Sequence, residues 1–454
     1  MKDRLSLKVS VSGVRGVIGE SLTPRLAARF AQAFGTYLGG GKVVVGRDAR
    51  LSGPMLQEAV TAGLLAVGCR PVDVGLCPIP SFQVLTKALQ ARGGIAITAS
   101  HNPGEWNGLK FIGEAGLFLN RSRFAEFNEI YHQGEFALVP ADKMKPAVRE
   151  EAPLKPHLDR LLAALDVDLV RRRRFRVAID CANGAGAALA PEFLRRLGCR
   201  PILVNAVPHG RFERPPEPVP ENLGSLKRAV RADRADVGFA QDADADRLAV
   251  VDEAGRPLGE ELTLALAVNR VLSSRTAGPV AVNLSTTRAI DDIAAAAGVP
   301  VFRTRIGEIN VVEEILEREA AIGGEGNGGV IWPAVRPCRD SFAAMGLVLE
   351  LMAASGKRPS ALRREIPAYH MVKDKVPGTA RQAHLIGKAL KKMYAGKGEV
   401  VTLDGVKVVF ADSWVHLRPS NTEPIIRILA EARTKPEAVR LVRLFKAEVK
   451  RRAS

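Results

Sequence analysis

Asp242, Asp244 and Asp246 occupy every second position of Gln241-Asp-Ala-Asp-Ala-Asp-Arg247. If this segment continues a strand, alternation turns all three carboxylates to one side, where their mutual repulsion is severe without a cation among them. Three hard oxygen ligands favour Mg²⁺ and leave positions for water or a phosphate oxygen. The neighbouring Arg247 also suits phosphate. A solvated acidic turn and a calcium loop are the other readings, but an EF-hand needs a glycine and a distal glutamate, and here the apolar run Leu248-Ala249-Val250-Val251 follows.

A second candidate centre is Thr98-Ala-Ser-His-Asn-Pro103. A serine between small Ala99 and polar His101-Asn102 is expected to be exposed at a strand tip, where Ser100 can act as a nucleophile or carry a phosphate. Without its context Ser100 reads as an ordinary turn serine. Downstream, Asn107-Gly108-Leu109-Lys110 returns a lysine towards the same neighbourhood, as an acid/base group or a phosphate ligand. The glycine-rich Gly323-Gly-Glu325-Gly-Asn327-Gly-Gly329 carries one carboxylate and one amide, groups able to recognise sugar hydroxyls; in isolation it reads as a flexible hairpin-like turn. Near the C-terminus, Arg418-Pro-Ser420-Asn421-Thr422-Glu423-Pro424 gathers a cation, two hydroxyls and an amide, with Arg427 on the strand that follows. That composition suits a preorganised phosphate cradle; the alternative is a capped turn.

The elements that must position these loops repeat three times. Lys42-Val-Val-Val, Arg176-Val-Ala-Ile and Pro279-Val-Ala-Val each read as the first strand of an α/β unit. After a helix, a second strand is introduced by Gly68-Cys69-Arg70-Pro71, by the identical Gly198-Cys199-Arg200-Pro201, and by Gly298-Val299-Pro300. A third strand then runs into the serine loop, the aspartate loop and the glycine-rich loop in turn. Open α/β sheets bind ligands beyond the carboxyl ends of their strands, so three such ends facing one cleft would pool their chemistry. The sequence therefore predicts three repeated mixed α/β sheet domains and a smaller α+β C-terminal domain around a central cleft. Boundaries are expected at 1–150, 151–253, 254–368 and 369–454. In the last domain, strands are expected near Val400 to Thr402, Val406 to Phe410 and Ile425 to Leu429, followed by a basic helix from Pro436.

A chain of 454 residues, 46% hydrophobic and 25% charged, suits several globular domains and excludes a disordered one. The net charge of +17 is compatible with anionic metabolites or nucleic acid. The densest basic run, Arg171 to Arg174, has no interleaved aromatics for base stacking and reads as a solvated edge. Five cysteines without a CxxC pair suggest neither a zinc site nor a disulfide framework, which suits a reducing cytoplasm. The most apolar helical stretch, Phe342 to Ala354, is too short for a bilayer and contains Glu350, so no membrane partner is expected.

Taken together and in order, these four loops resemble those of the α-D-phosphohexomutase family, over nearly the whole chain. The resemblance implies an intramolecular phosphotransferase of the isomerase class, acting between positions 1 and 6 of a hexose or hexosamine phosphate. It implies Ser100 as a phosphoserine, with Asp242, Asp244 and Asp246 holding Mg²⁺ together with its phosphate. Arg15, in Ser12-Gly13-Val14-Arg15-Gly16, would lie near the reacting phosphate; His101 and Lys110 would be acid/base or orienting groups, and Arg247 a neutralising one. Glu325 and Asn327 would recognise the sugar, and Arg418, Ser420, Asn421, Thr422 and Arg427 would hold the phosphate that is not reacting. A hexose 1,6-bisphosphate is implied as intermediate and activator, and the fourth domain as a lid. Small sugar phosphates are the implied partners, with no nucleic acid, in a monomer or homodimer. Two departures stand out: Asn327-Gly328-Gly329 replaces the common Ser-Gly-His, and Ser12-Gly13-Val14-Arg15 replaces an aromatic-Gly-Thr pattern, which leaves the choice of sugar open. The competing expectations are a non-catalytic sugar-phosphate sensor and a basic nucleic-acid-binding protein.

Overall fold

The computed structural model describes residues 7–274, 278–420 and 425–453. Short apolar runs of the sequence form three sheets with a common plan. The first strands, Gly41–Arg47, Arg176–Asp180 and Val280–Asn283, are each flanked by parallel second and third strands. The second strands are Cys69–Leu76, Arg200–Val204 and Val301–Thr304, and the third are Gly93–Ile97, Val237–Gln241 and Ile322–Glu325. A fourth strand then pairs antiparallel with the third: Trp106–Gly113, Leu248–Val251 and Gly329–Trp332. The three candidate loops are thus the connections between third and fourth strands. The first sheet is widened by Lys8–Ser10 and Gly13–Val17 on one edge and Val148–Arg149 on the other, and the third by Arg336–Arg339.

In the first sheet, helices Pro24–Leu38, Gly53–Ala66 and Arg121–Gln133 pack Phe30, Phe34, Leu64 and Phe127 on one face, while Phe82 and Leu85 of helix Ile79–Ala88 fill the other. The second and third sheets share one continuous core around helix Ser341–Ser355. The acidic side chain in that helix, Glu350, is fully buried and accepts from Arg270 Nε at 2.8 Å, so the apolar helix is a core element whose carboxyl group is paired. Among the described residues, no helix is long and apolar enough to cross a membrane.

The C-terminal region differs in detail from the sequence expectation. Its five antiparallel strands run in the order His370–Pro377, Ile425–Ala432, Ser413–Pro419, Val406–Val409, Glu399–Val401. His370–Pro377, Ser413–Pro419 and helix Ala380–Tyr394 are additional to the expected elements, and the last helix is Lys435–Ala453. Helix Ala380–Tyr394 starts at a reciprocal cap between Thr379 and Gln382.

This sheet docks on the loop after Val280–Asn283. Lys407 Nζ donates to the Leu284 carbonyl at 2.6 Å, and Arg288 reaches the Phe410 carbonyl at 3.0 Å. Between them His416, fully buried, donates from Nε2 to the Asp404 carbonyl at 2.6 Å and meets Ser285 Oγ at 2.9 Å through Nδ1. Burial, reinforced by Lys407, lowers its pKa to about 4. A histidine depressed in the folded state stabilises above its unfolded pKa of about 6.5, and that contribution is lost as pH falls through about 4. Acidification from pH 7 to 4 is expected to remove about 3 kcal/mol through this one group, and His416→Gln to flatten the profile; denaturation midpoints across that range measure it.

Candidate active site

Ser100 begins the turn after Gly93–Ile97 with a left-handed φ of 51°, a conformation non-glycine residues seldom adopt. The cost, of order 1–3 kcal/mol, has to be met by neighbours. Arg50, which leaves only 1% of its surface exposed, meets it by threading the loop from beneath. Its guanidinium donates to the carbonyls of Ser100 at 2.8 Å, Asn102 at 2.7 Å, Pro103 at 2.5 Å and Trp106 at 2.9 Å, and to Asp48 at 3.0 Å. Phe212, from the second domain's long loop, covers that guanidinium at 5.0 Å. Thr98 Oγ1 completes the support, accepting from the Ser100 amide at 2.9 Å and donating to Asp48 at 2.6 Å.

Contrary to expectation, Ser100 is buried, with 1% of its surface exposed, because the aspartate loop of the second domain closes over it. Ser100 Oγ donates to Asp242 Oδ2 at 3.1 Å. The aspartates also converge by a different route from the one the sequence suggested: the strand ends at Gln241, and a turn with left-handed Ala245, φ 59°, brings the carboxylates together. Asp242 Oδ1 accepts the amides of Asp246 and Arg247 at 3.1 and 3.2 Å and so closes that turn. One oxygen from each aspartate lies within 4.8 Å of the others. Asp244 Oδ1 and Asp246 Oδ1 are buried without a hydrogen-bond partner, which is the donor set a small hard cation satisfies.

Cations ring this cluster. Lys110 Nζ lies 2.7 Å from Asp244 and 3.5 Å from Asp246, Arg339 Nη2 lies 2.6 Å from Asp246, and Arg247 lies 3.8–3.9 Å from Asp246 and Asp242. Burial opposes ionisation of Asp246, but Arg339, Lys110 and Arg247 outweigh it and hold that carboxyl below its usual range. Burial first, then Asp246 and Asp244, push Asp242 well above it. His101 Nδ1 lies 3.4 Å from Ser100 Oγ, and the imidazole is held neutral, down to about 2, by Arg247, burial and Arg15. Arg15, on the strand paired with Trp106–Gly113, donates to Asn102 Oδ1 at 3.2 Å.

Glu325 ends its strand with every oxygen engaged. Oε1 accepts from Asn283 Nδ2 and the Gly307 amide, both at 3.0 Å, and Oε2 accepts from Arg339 at 2.9 Å. It forms one wall of a cleft of about 550 Å³ whose lining includes Asn327, Lys373, Lys375, Arg418 and Arg427. Lys375, Arg427 and Arg418 are register partners on three adjacent strands and therefore share one face. Arg418 Nε lies 3.5 Å from Asp404 Oδ1, and the Ser420 amide donates to the Ile425 carbonyl at 2.9 Å. Asn421 and Thr422 lie outside the described residues.

The fold thus brings Ser100, His101, Lys110, Arg15, Arg247 and the three aspartates into one cluster, and sets Glu325, Asn327, Arg418 and Arg427 along the adjoining cleft. Sequence reasoning missed Arg50, Arg339, Lys373 and Lys375. Asp48-Ala-Arg50 does follow a first strand of the repeat, which is a usable signal; nothing local distinguishes Arg339.

A nucleophilic hydroxyl, a carboxylate cluster matched to a divalent cation and several phosphate-competent cations at α/β strand ends define a phosphoryl-transfer site. Comparison with known proteins agrees. Models for phosphoglucomutase/phosphomannomutase α/β/α domains I, II and III match residues 6–138, 155–255 and 259–369, and the C-terminal domain of the same enzymes matches 372–447. A phosphoglucomutase/phosphomannomutase of Thermococcus kodakarensis is 40% identical over 432 residues, 94% of either chain. A probable phosphoglucosamine mutase of Methanopyrus kandleri is 40% identical over 434 residues, again 94% of either chain. The crystal structure of a phosphoglucomutase/phosphomannomutase family protein from Burkholderia thailandensis superposes with a TM-score of 0.84 at 26% identity, covering 98% of both chains. The chain belongs to the α-D-phosphohexomutase family and is an enzyme of the isomerase class. Its activity is phosphohexomutase catalysis, and the comparisons do not favour the sensor reading.

Proposed function

We propose that the enzyme interconverts the 1- and 6-phosphates of a hexose or hexosamine through a phosphoserine at Ser100. The observation that carries this reading is the 3.1 Å contact between the strained, supported Ser100 hydroxyl and Asp242 of a three-carboxylate cluster. Asp242, Asp244 and Asp246, with the serine phosphate, would hold Mg²⁺, which supplies neutralisation of charge on the transferring group. A sugar hydroxyl attacks the phosphorus, its new O–P bond forms as the bond to Ser100 Oγ breaks, and the hydroxyl proton passes to the serine oxygen. His101 Nδ1, 3.4 Å from that oxygen, is placed to relay it. Arg15, Arg247 and Lys110 offset the phosphoryl charge. The resulting 1,6-bisphosphate turns round and returns its other phosphate to Ser100.

Glu325 and Asn327 would bind the sugar in both orientations, while Arg418, Ser420, Asn421, Thr422 and Arg427 hold the idle phosphate; Lys375 extends that cation row. Five free, buried cysteines support a reducing cytoplasm as its location. The relatives named above make glucose, mannose and glucosamine phosphates the sugars to try.

A coupled mutase assay with the three 1-phosphates, Mg²⁺ and a catalytic amount of hexose 1,6-bisphosphate tests the reading, and turnover of none of them overturns it. In the same assay Arg418→Ala is expected to lose about 1.5–3 kcal/mol of phosphate binding and to release more free bisphosphate per turnover. An unchanged Michaelis constant with equal leakage would reduce Arg418 to a structural residue.

A further inference from the structure

Arg339 ends the strand Arg336–Arg339, and its guanidinium joins two loops that the proposed function gives different tasks. Nη2 donates to Asp246 Oδ2 of the aspartate loop at 2.6 Å, and Nη1 donates to Glu325 Oε2 of the glycine-rich loop at 2.9 Å. Nε lies 3.1 Å from Glu308 Oε2, and the Arg339 amide donates to Glu308 Oε1 at 3.1 Å. The base of the side chain is fixed as well. Two residues on, Ser341 Oγ donates to the Ala245 carbonyl at 2.7 Å, inside the aspartate loop, while Asp340 is held by buried His157 at 2.8 Å.

The path of this arginine explains the glycine that ends the loop. A Cβ on Gly329 would lie 2.4 Å from Arg339 Cδ and 3.1 Å from its Cγ. Gly329 is outside the left-handed region, so what it provides is room. The space that a side chain at position 329 would take is filled by Arg339 from the paired strand.

We propose that Arg339 is a positioning residue that couples the cation site to the sugar site. This rests on the reading of Asp246 as a metal ligand and Glu325 as a sugar ligand. Asp246 has one oxygen on Arg339 and the other without a hydrogen-bond partner. A cation on the second oxygen fixes the carboxylate, hence the guanidinium, hence Glu325, whose remaining oxygen is already tied to Asn283 and the Gly307 amide. Sugar bound at Glu325 fixes the same chain in the opposite direction. Such coupling is reciprocal: each ligand tightens the other by one factor.

The test is calorimetry on dephosphorylated enzyme without bisphosphate. Mg²⁺ affinity is measured with and without the 1-phosphate that supports turnover, and the affinity for that 1-phosphate with and without Mg²⁺. Wild type is expected to show mutual tightening of about fivefold or more. Arg339→Lys keeps the charge but lacks the planar fork needed to span both carboxylates, and Gly329→Ala keeps every charge but displaces the arginine. Both are expected to bind each ligand alone while mutual tightening falls below about twofold. A purely structural arginine would lower the melting temperature and leave the coupling factor alone. Absence of coupling in wild type, or wild-type coupling in folded Gly329→Ala, overturns the proposal; Gly329→Ala decides if Arg339→Lys does not fold. Asp246→Asn and Glu325→Gln are measured alongside. If the first leaves Mg²⁺ affinity unchanged or the second leaves sugar-phosphate affinity unchanged, the site reading itself fails; if both weaken binding while Arg339→Lys and Gly329→Ala keep the coupling, only the inference fails.

Discussion

Ser100→Ala is expected to lower turnover by at least about three orders of magnitude while leaving a folded protein. Every other group in the cluster can be replaced in part by a neighbour: Lys110 shares Asp246 with Arg339 and Arg247, and the three aspartates would share one cation. Ser100, the proposed phosphoryl carrier, has no such substitute, because among the described residues no second hydroxyl nucleophile donates to Asp242. Burial of Ser100 makes the structural side of the experiment worth checking. The hydroxyl makes one good hydrogen bond, to Asp242, and the loop is otherwise held through its backbone by Arg50 and Thr98. Losing the hydroxyl should therefore cost about 1–3 kcal/mol, chiefly for the Asp242 oxygen left without a donor, and the fold should persist. Intact-mass measurement after incubation with hexose 1,6-bisphosphate should find one phosphate on wild type and none on the variant. Near wild-type turnover in Ser100→Ala, or a phosphate retained on it, would remove Ser100 from the mechanism.

The threefold repeat and its loops were readable because each unit announces itself locally. An apolar run of four or five residues, a Gly-Cys-Arg-Pro or Gly-Val-Pro turn and a second apolar run survive translation into strands with little help from the rest of the molecule. What was misread involved contact between distant segments. Alternation of the three aspartates suggested a strand, but the strand stops at Gln241 because the chain must turn back to pair Leu248–Val251 with Val237–Gln241. Ser100 looked exposed because nothing near it in sequence covers it; Asp242, 142 residues away, does. Arg50 holds carbonyls 50 to 56 residues off and Arg339 carboxylates 14 to 93 residues off, so local pattern does not show what either holds, although the place of Asp48-Ala-Arg50 after a first strand marks Arg50. In the fourth domain His370–Pro377 escaped notice for a related reason. Its Lys373 and Lys375 line the cleft, so the strand reads as charged where a core strand would read as apolar.

Removal of divalent metal should stop turnover, and Asp244→Asn should weaken it by about two to three orders of magnitude even at high Mg²⁺. Asp244 is the aspartate whose loss the cluster can least redistribute. Asp242 spends one oxygen closing its own turn on the amides of Asp246 and Arg247; Asp244 and Asp246 each keep Oδ1 free of any hydrogen bond, but Asp246 faces Arg339, Lys110 and Arg247, whereas Asp244 is held by Lys110 at 2.7 Å and Thr98 at 3.2 Å. An asparagine there retains a neutral ligand oxygen but removes one of three negative charges. It also leaves Lys110 with Asp246, 3.5 Å away, as its remaining carboxylate partner, so the ammonium is drawn towards the position a cation would share. Both effects lower cation affinity, by charge count and by competition. Lys110→Met in the Asp244→Asn background separates them: if competition contributes, the second substitution should recover part of the Mg²⁺ affinity without recovering turnover. Calorimetric Mg²⁺ titration of the single and double variants gives the affinities, and activity after chelation and Mg²⁺ replacement gives the dependence. Full activity in the presence of excess chelator would exclude the aspartates as a metal site and leave them as the electrostatic partners of Lys110, Arg247 and Arg339.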